Sequence, residues 1–182
     1  MLKVWYRICH AKYIPYLCSI ENMIRKVTGQ DAKAIADIYN EYVCNSVVTF
    51  ETEPVTSQEM SRRIEEISAC YPYWVYEEGG KVLGYCYAHQ WKARAAYSRT
   101  WETTVYVDAS SRGKGIGKAL VGHLIRECRC AGAHVLVACI VGGNGNSIRL
   151  HQSFGFRQVS HFLQVGRKSG RWLDILDFQL IL

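Results

Sequence analysis

Arg112-Gly113-Lys114-Gly115-Ile116-Gly117-Lys118 is the stretch on which the reading of this chain turns. It follows a strand-like run, Trp101 to Val107, and opens a helical run that extends to about Cys130. Glycines on alternate positions remove Cβ atoms where a ligand must approach the main chain. Successive N–H groups at a helix N-terminus form an anion nest, reinforced by the helix dipole. Lys114 and Lys118 add positive charge beside it. The stretch reads as a cradle for a pyrophosphate.

Spacing excludes two common owners of such a cradle. A P-loop needs G-x-x-x-x-G-K-[ST], but Lys118 is followed by Ala119 and position 112 is Arg. A dinucleotide fingerprint needs G-x-G-x-x-G; counted from Gly113 the last position is Lys118, and from Gly115 it is Leu120.

Outward from the loop, the chain alternates strands and helices. Ile24 to Val27 reads as a short strand, and Thr28 with Asp31 resembles a capping box for a helix that buries Ile35, Ile38, Tyr39 and Tyr42. Thr56 and Glu59 form a second box, for a helix carrying Met60, Ile64 and Ile67 inward and ending before Tyr71-Pro72. Tyr73 to Glu77 and Lys81 to Trp91 read as strands joined at Glu78-Gly79-Gly80. The loop helix aligns Leu120, Leu124 and Cys128, with Val121 and Ile125 beside them. Val135 to Val141 is the near-continuous apolar run of a strand buried on both faces. A short helix from about Asn146 to Ser153 ends at Gly155, and two strands follow near Gln158–Val165 and Arg171–Leu180. The order β-α-α-β-β-β-α-β-α-β-β predicts an α/β fold with a mixed central sheet flanked by helices.

The pattern that the loop does fit, Arg112-x-x-Gly115-x-Gly117, resembles the acetyl-CoA loop of the GNAT N-acetyltransferases. Asn144-x-x-Ser147-x-x-Leu150-His151-x-x-x-Gly155-Phe156 looks like the second half of such a core. More narrowly, five ordered blocks are similar to phosphinothricin/methionine sulfoximine acetyltransferases: Phe50-Glu51-Thr52-Glu53-Pro54, Trp91-Lys92-Ala93-Arg94-x-x-Tyr97, Glu102-x-Thr104-Val105-Tyr106-Val107, Arg149-Leu150-His151 and Gly170-Arg171-Trp172-Leu173-Asp174. The resemblance implies a GNAT fold, acetyl-CoA as co-substrate, no metal, and direct acetyl transfer in a ternary complex to the α-amino group of a small acidic amino-acid analogue. Phosphinothricin and methionine sulfoximine or sulfone are the class implied. Acetylation of another amine or a protein N-terminus, and a CoA-sensing module without turnover, are the alternatives.

Residue by residue, the resemblance puts Glu102 at the general-base position. A carboxylate there can take a proton from an ammonium group, directly or through water; a solvated strand Glu or an ion-pair partner is the plainer reading. His151 stands where many relatives carry a Tyr acid, and an imidazole with an unperturbed pKa near ~6.5 can serve as acid or base. A packed helical His is its plainer reading. Val105, Tyr106 and Val107 would offer main-chain groups to the pantetheine arm, as an added strand does. Arg112 to Lys118, with Gly113, Lys114, Gly115, Ile116 and Gly117, would hold the pyrophosphate, and Asn144 and Ser153 match further CoA contacts. Lys92, Arg94, Ala95, Ala96 and Tyr97 would line the substrate pocket, with Phe50 as an apolar wall and Trp172 and Asp174 near it across a homodimer interface. Lys92 and Arg94 otherwise read as an exposed basic turn.

The totals agree with one enzyme-sized domain. The chain has 182 residues, 49% hydrophobic, with three prolines. A net charge of +6 suits an anionic ligand and is too mild to indicate nucleic acid. Eight cysteines lack the paired spacing of a zinc site, which suggests reduced thiols and a cytoplasmic protein. Residues 1–22 read as an extension to a single domain over 23–182, either from an upstream start, with Met23 as the true beginning, or as a small packing or membrane-touching arm. They contain no signal-peptide core and no membrane span.

Overall fold

The computed structural model describes residues 23–182, so the reading of residues 1–22 lies outside the described residues. β1 (Ile24–Lys26) leads through a 3-10 turn at Gly29–Asp31 into α1 (Ala32–Asn45), and α2 (Ser57–Ser68) follows. β2 (Tyr73–Glu78), β3 (Lys81–Gln90) and β4 (Thr100–Val107) form an antiparallel meander. α3 (Ile116–Cys130) returns the chain to β5 (Val135–Val141), which lies parallel to β4. Then come α4 (Gly145–Ser153), β6 (Arg157–Gln158), β7 (Phe162–Lys168) and β8 (Arg171–Ile181). The sheet order is β1-β2-β3-β4-β5-β8-β6, with β7 also on β8. None of the described helices is long and apolar enough to cross a membrane.

Two layers cover the sheet. α1 and α2 bury Ile35, Ile38, Tyr39, Met60 and Ile64 against Val75 and Tyr85 on one face. α3 buries Leu120, Leu124, Ile125 and Cys128 against Leu136, Ala138 and Phe178 on the other, where α4 adds Ile148 and Leu150. Both stripes are the ones that helical spacing predicts. α3 can lie so close to β3 because residue 84 is glycine: a Cβ there would stand 2.9 Å from the Tyr106 carbonyl and 3.1 Å from Leu120.

One predicted strand is wrong in its bounds. The expected run Gln158–Val165 is two strands, β6 and β7, that share one edge of β8. Ser160 interrupts the ladder by bonding Asp177 through its hydroxyl, and Gln164 takes a positive φ of 52° inside a register shift between Phe162 and Gly166. The alternation of side chains in 158–165 carries no sign of either event.

The entry to α1 is fixed by charge. Asp31 accepts from the Thr28 main-chain N–H at 2.8 Å and from both terminal nitrogens of Arg25 at 2.8 Å. Arg25 also bonds Glu77 of β2 through Nε, at 2.8 Å. Burial pushes the Asp31 carboxyl up, but the Arg25 guanidinium and the Thr28 N–H outweigh it and hold the pKa below the ordinary value. A depressed carboxylate stabilises the fold above its unfolded pKa, and that contribution is lost as pH falls through the folded one. Asp31→Asn is therefore expected to lower the unfolding free energy by roughly 1.5–3 kcal/mol at neutral pH. The gap to the parent narrows in acid as pH falls below the unfolded value of about 3.9 toward the lower folded one. Urea melts at pH 7 and pH 3 measure both; equal stability at pH 7 would remove Asp31 from the cap.

Candidate active site

The central feature is a fork. β4 and β5 pair only over three residues, Thr100 with Val135, Trp101 with Leu136 and Glu102 with Val137. β4 stays on β3 through Val107, and β5 stays on β8 through Val141. Past Glu102 the two strands therefore part, and Thr103 makes the last tie, its hydroxyl donating to the Val137 carbonyl at 3.2 Å. Each strand turns a main-chain edge into the gap, and an unpaired edge is a template for an extended amide-bearing chain.

Glu102 stands at the vertex. Trp101 and Val105 pack with α3, and Tyr106 packs with α1. Alternation along β4 therefore sends Glu102 to the α1/α2 face. Its side chain is 27% exposed, and its cross-strand neighbour on β3 is His89, whose Nε2 lies 3.9 Å from Oε1. His89 Nδ1 is 3.0 Å from the Gln90 carbonyl, which assigns the proton to Nδ1 and turns Nε2 toward the carboxylate. Burial raises the Glu102 pKa, a charged His89 lowers it, and Asp177 on β8 raises it again. A carboxylate tuned upward at a vertex of this kind is a competent proton acceptor.

The glycine loop closes the open end of the fork. Gly113 and Gly115 have φ of 78° and 84°, left-handed conformations that strain any other residue. Gly115 is the N-cap of α3, no side chain caps the helix, and residues 112–115 are exposed. The first-turn amides are thus open to an anion. Gly117 differs from the expectation: a Cβ there would make ordinary contacts with Leu150 and Val107, 3.5 and 3.6 Å away. It faces the α4 side of the fork, while the backbone requirement lies at Gly113 and Gly115. Ile116 is buried under the loop, and Lys114 and Lys118 are exposed. Arg112 lies over the ring of Tyr42, 4.7 Å from its centroid, and the Tyr42 hydroxyl donates to the Val107 carbonyl at 2.6 Å. That carbonyl, one of the groups assigned to the pantetheine, is already engaged.

The remaining candidates are distributed around this frame. His151 sits on α4, on the other face of the sheet from Glu102. It is buried, edge-on to Phe156, with Nδ1 2.9 Å from the Ser147 carbonyl. Burial lowers its pKa, against the Ser147 carbonyl, which raises it. The balance favours the neutral ring. Asn144 caps α4, accepting from Ser147 N–H at 3.3 Å, and the Ser153 hydroxyl donates to the Leu150 carbonyl at 2.7 Å.

On the Glu102 face, Trp91, Tyr97, Thr100, Val135, Val137, Val159, Asp177 and Gln179 line a cavity of about 170 Å³. The Lys92 ammonium stands at its rim, 4.0 Å from the centroid of the Trp91 ring and 5.6 Å from that of Tyr97. Arg94, Ala95 and Ala96 are exposed on the same connection. Phe50 does not line this cavity; its ring fills the space where a Cβ on Gly166 would be, 2.2 Å from Cε2. Trp172 is exposed, and Asp174 is committed to His161 and to the Gln164 N–H.

A family model for the acetyltransferase (GNAT) domain matches residues 24–176. The chain belongs to the GNAT acetyltransferases. It is 39% identical to a phosphinothricin N-acetyltransferase of Streptomyces viridochromogenes, over 86% of this chain and 88% of that one. To an L-methionine sulfoximine/L-methionine sulfone acetyltransferase of Salmonella typhimurium it is also 39% identical, covering 86% of this chain and 92% of the relative. Among solved structures it resembles a phosphinothricin acetyltransferase from Sinorhizobium meliloti in complex with acetyl-CoA, with a TM-score of 0.85 at 38% identity, covering 87% of each chain.

Sequence reasoning missed His89, Tyr42 and Asp177 around this GNAT fork. The pairing of His89 with Glu102 depends on a register set across the long connection Trp91–Arg99, which no turn signal fixes. It has a direct test. Removing the imidazole removes the one influence that lowers Glu102, so in His89→Ala the Glu102 carboxyl is expected to titrate at higher pH than in the parent. Carboxyl carbon NMR reads this; an unchanged or lower value would show that the imidazole does not act on Glu102.

Proposed function

We propose that this acetyltransferase uses acetyl-CoA to acetylate the α-amino group of a small amino-acid analogue, of the phosphinothricin or methionine sulfoximine and sulfone class, by direct transfer in a ternary complex. The observation that carries the proposal is the fork: one carboxylate at its vertex, two free strand edges, and an uncapped glycine-led helix at its mouth.

In this reading the pyrophosphate meets the amides of Gly113 to Lys118, with Lys114 and Lys118 beside it. The pantetheine enters the gap along Val105 and Tyr106, and a β4 main-chain N–H polarises the thioester oxygen. Glu102 takes a proton from the substrate ammonium, directly or through water, and the freed amine attacks the thioester carbon. The tetrahedral intermediate, whose nitrogen still carries one proton too many for the amide, collapses with loss of the CoA thiolate, and that second proton passes through water from the nitrogen to the thiolate. His151 has a narrower part than the sequence suggests. A neutral ring bonded through Nδ1 can accept a proton at Nε2, and in its resting state it is not an acid. Lys92 and Arg94 supply cations for the substrate carboxylate; the Arg94 guanidinium has no hydrogen-bond or ion-pair partner among the described residues, so its fork is available for two parallel bonds. The exposed apolar row Val159, Phe162, Leu163, Val165 and Trp172 supports assembly as a homodimer through β7 and β8.

Two variants test the reading. In Glu102→Gln, kcat for methionine sulfoximine is expected to fall by roughly 10²–10⁴, the range for a lost general base, while calorimetric CoA affinity stays at the parent value. A folded Glu102→Gln enzyme at the parent rate, or a parent that acetylates only peptide N-termini, would overturn it. Gly115→Val is expected to abolish CoA binding, because valine cannot hold φ near 84° without strain. Retained CoA affinity in a folded Gly115→Val protein would remove the loop from the cofactor site.

A further inference from the structure

The cavity beside Glu102 has a polarity of its own. Its floor is Thr100 and Val137, the residue two before Glu102 on β4 and the residue paired with Glu102 on β5. The aromatic wall of Trp91 and Tyr97 faces Val159, and the inner polar groups are Asp177 and Gln179. Asp177 accepts from the Ser160 hydroxyl at 2.8 Å and bonds the thiol of Cys139, its register partner on β5. A carboxylate offers about four lone-pair sites, so acceptor capacity remains toward the cavity. No cation lies among the lining residues; the nearest on this connection, Lys92, is outside the rings at the rim. The cavity is thus apolar-walled, anionic inside and cationic at its mouth.

We propose that this cavity receives the side chain of the amino-acid substrate, and that Asp177 is a specificity residue selecting neutral side chains that end in an N–H donor over those that end in an anion. The inference rests on the acetyltransferase reading above. With the amine at Glu102 and the carboxylate at the Lys92 and Arg94 rim, the remaining substituent points along the floor toward Asp177. A sulfoximine offers an N–H to that carboxylate. A sulfone offers only acceptor oxygens, and a phosphinate brings a second negative charge into a cavity that already holds the Asp177 carboxylate and lies beside Glu102. The order of preference is sulfoximine, then sulfone, then phosphinate. The α-carboxylate is common to all three, so the rim cations cancel in the comparison.

The experiment is kcat/KM for methionine sulfoximine, methionine sulfone and phosphinothricin, with parent, Asp177→Asn and Gln179→Glu enzymes. The parent is expected to favour methionine sulfoximine over phosphinothricin by roughly 10- to 150-fold, the span of one charge-assisted hydrogen bond. Asp177→Asn is expected to collapse that ratio toward unity with CoA affinity unchanged, and Gln179→Glu, which adds an anion to the same cavity, to widen it. Should Asp177→Asn not fold, Gln179→Glu alone carries the test. A parent that prefers phosphinothricin, or a ratio that neither variant moves, overturns the assignment of Asp177 and leaves the acetyltransferase reading intact. A parent that acetylates none of the three overturns that reading itself, and the inference with it.

Discussion

The parting of β4 from β5 is the constraint on which the rest depends. A sheet gains by pairing every edge it can, and an open edge inside a fold leaves amide groups without partners. Here the pairing stops after Glu102 and Val137 because each strand is held on its outer side, β4 by β3 as far as Val107 and β5 by β8 as far as Val141. The two halves of the sheet diverge with the twist of their own ladders. Helix layers on both faces then keep the gap from closing. α3 is pinned to β3 by the close approach at Gly84, and α4 lies against β5.

That geometry sets the electrostatics. Glu102 is the last residue with strands on both sides, so it is shielded more than a residue farther along β4. Burial is the largest influence on its pKa for that reason. His89 and Asp177 adjust it in opposite directions because they belong to the two neighbours that flank the vertex, β3 and β8 beyond β5. Cys139 faces the same group of carboxylates; burial, Glu102 and Asp177 together push its thiol up to about 12, so it is an uncharged donor and no nucleophile at neutral pH. His151 answers to a different environment. It lies across the sheet, in the apolar layer with Phe156, where burial favours the neutral ring.

What was legible in the sequence follows from which forces are local. The capping box at Thr28 and Asp31, the Leu120-Leu124-Cys128 stripe and the buried run of β5 are properties of a few consecutive residues, and the structure has them as predicted. The glycine loop was legible for the same reason, since positive φ at Gly113 and Gly115 is a demand on single residues. Gly117 carries the same letter with neither a positive φ nor a clash to require it, since a Cβ there makes only ordinary contacts with Leu150 and Val107, and spacing alone does not separate it from the other two. Glu102 was legible as a candidate through its motif, but its neighbours were not. Register between β3 and β4, and between β5 and β8, is decided over long connections. His89 and Asp177 therefore read as ordinary strand residues until the sheet is assembled. The break at Ser160 and Gln164 was hidden likewise, because its cause is Asp177 and Asp174 on another strand.

The distribution of charge across the site also constrains how a substrate can lie in it. Cations occupy the connection after β3 and the loop before α3, at opposite ends of β4. Carboxylates occupy the sheet between them, Glu102 at the vertex and Asp177 behind it. An anionic cofactor and an anionic end of a substrate are thus drawn to opposite ends, and only a group that can give up a proton or donate a hydrogen bond is favoured in the middle. An ammonium is such a group. In the proposed reaction the ammonium held by Glu102 stands where the gap between the strands begins, and its deprotonation leaves a neutral amine facing the gap. The arrangement of charge fits that reading: the cations stand at the edges, and the candidate proton acceptor stands between them.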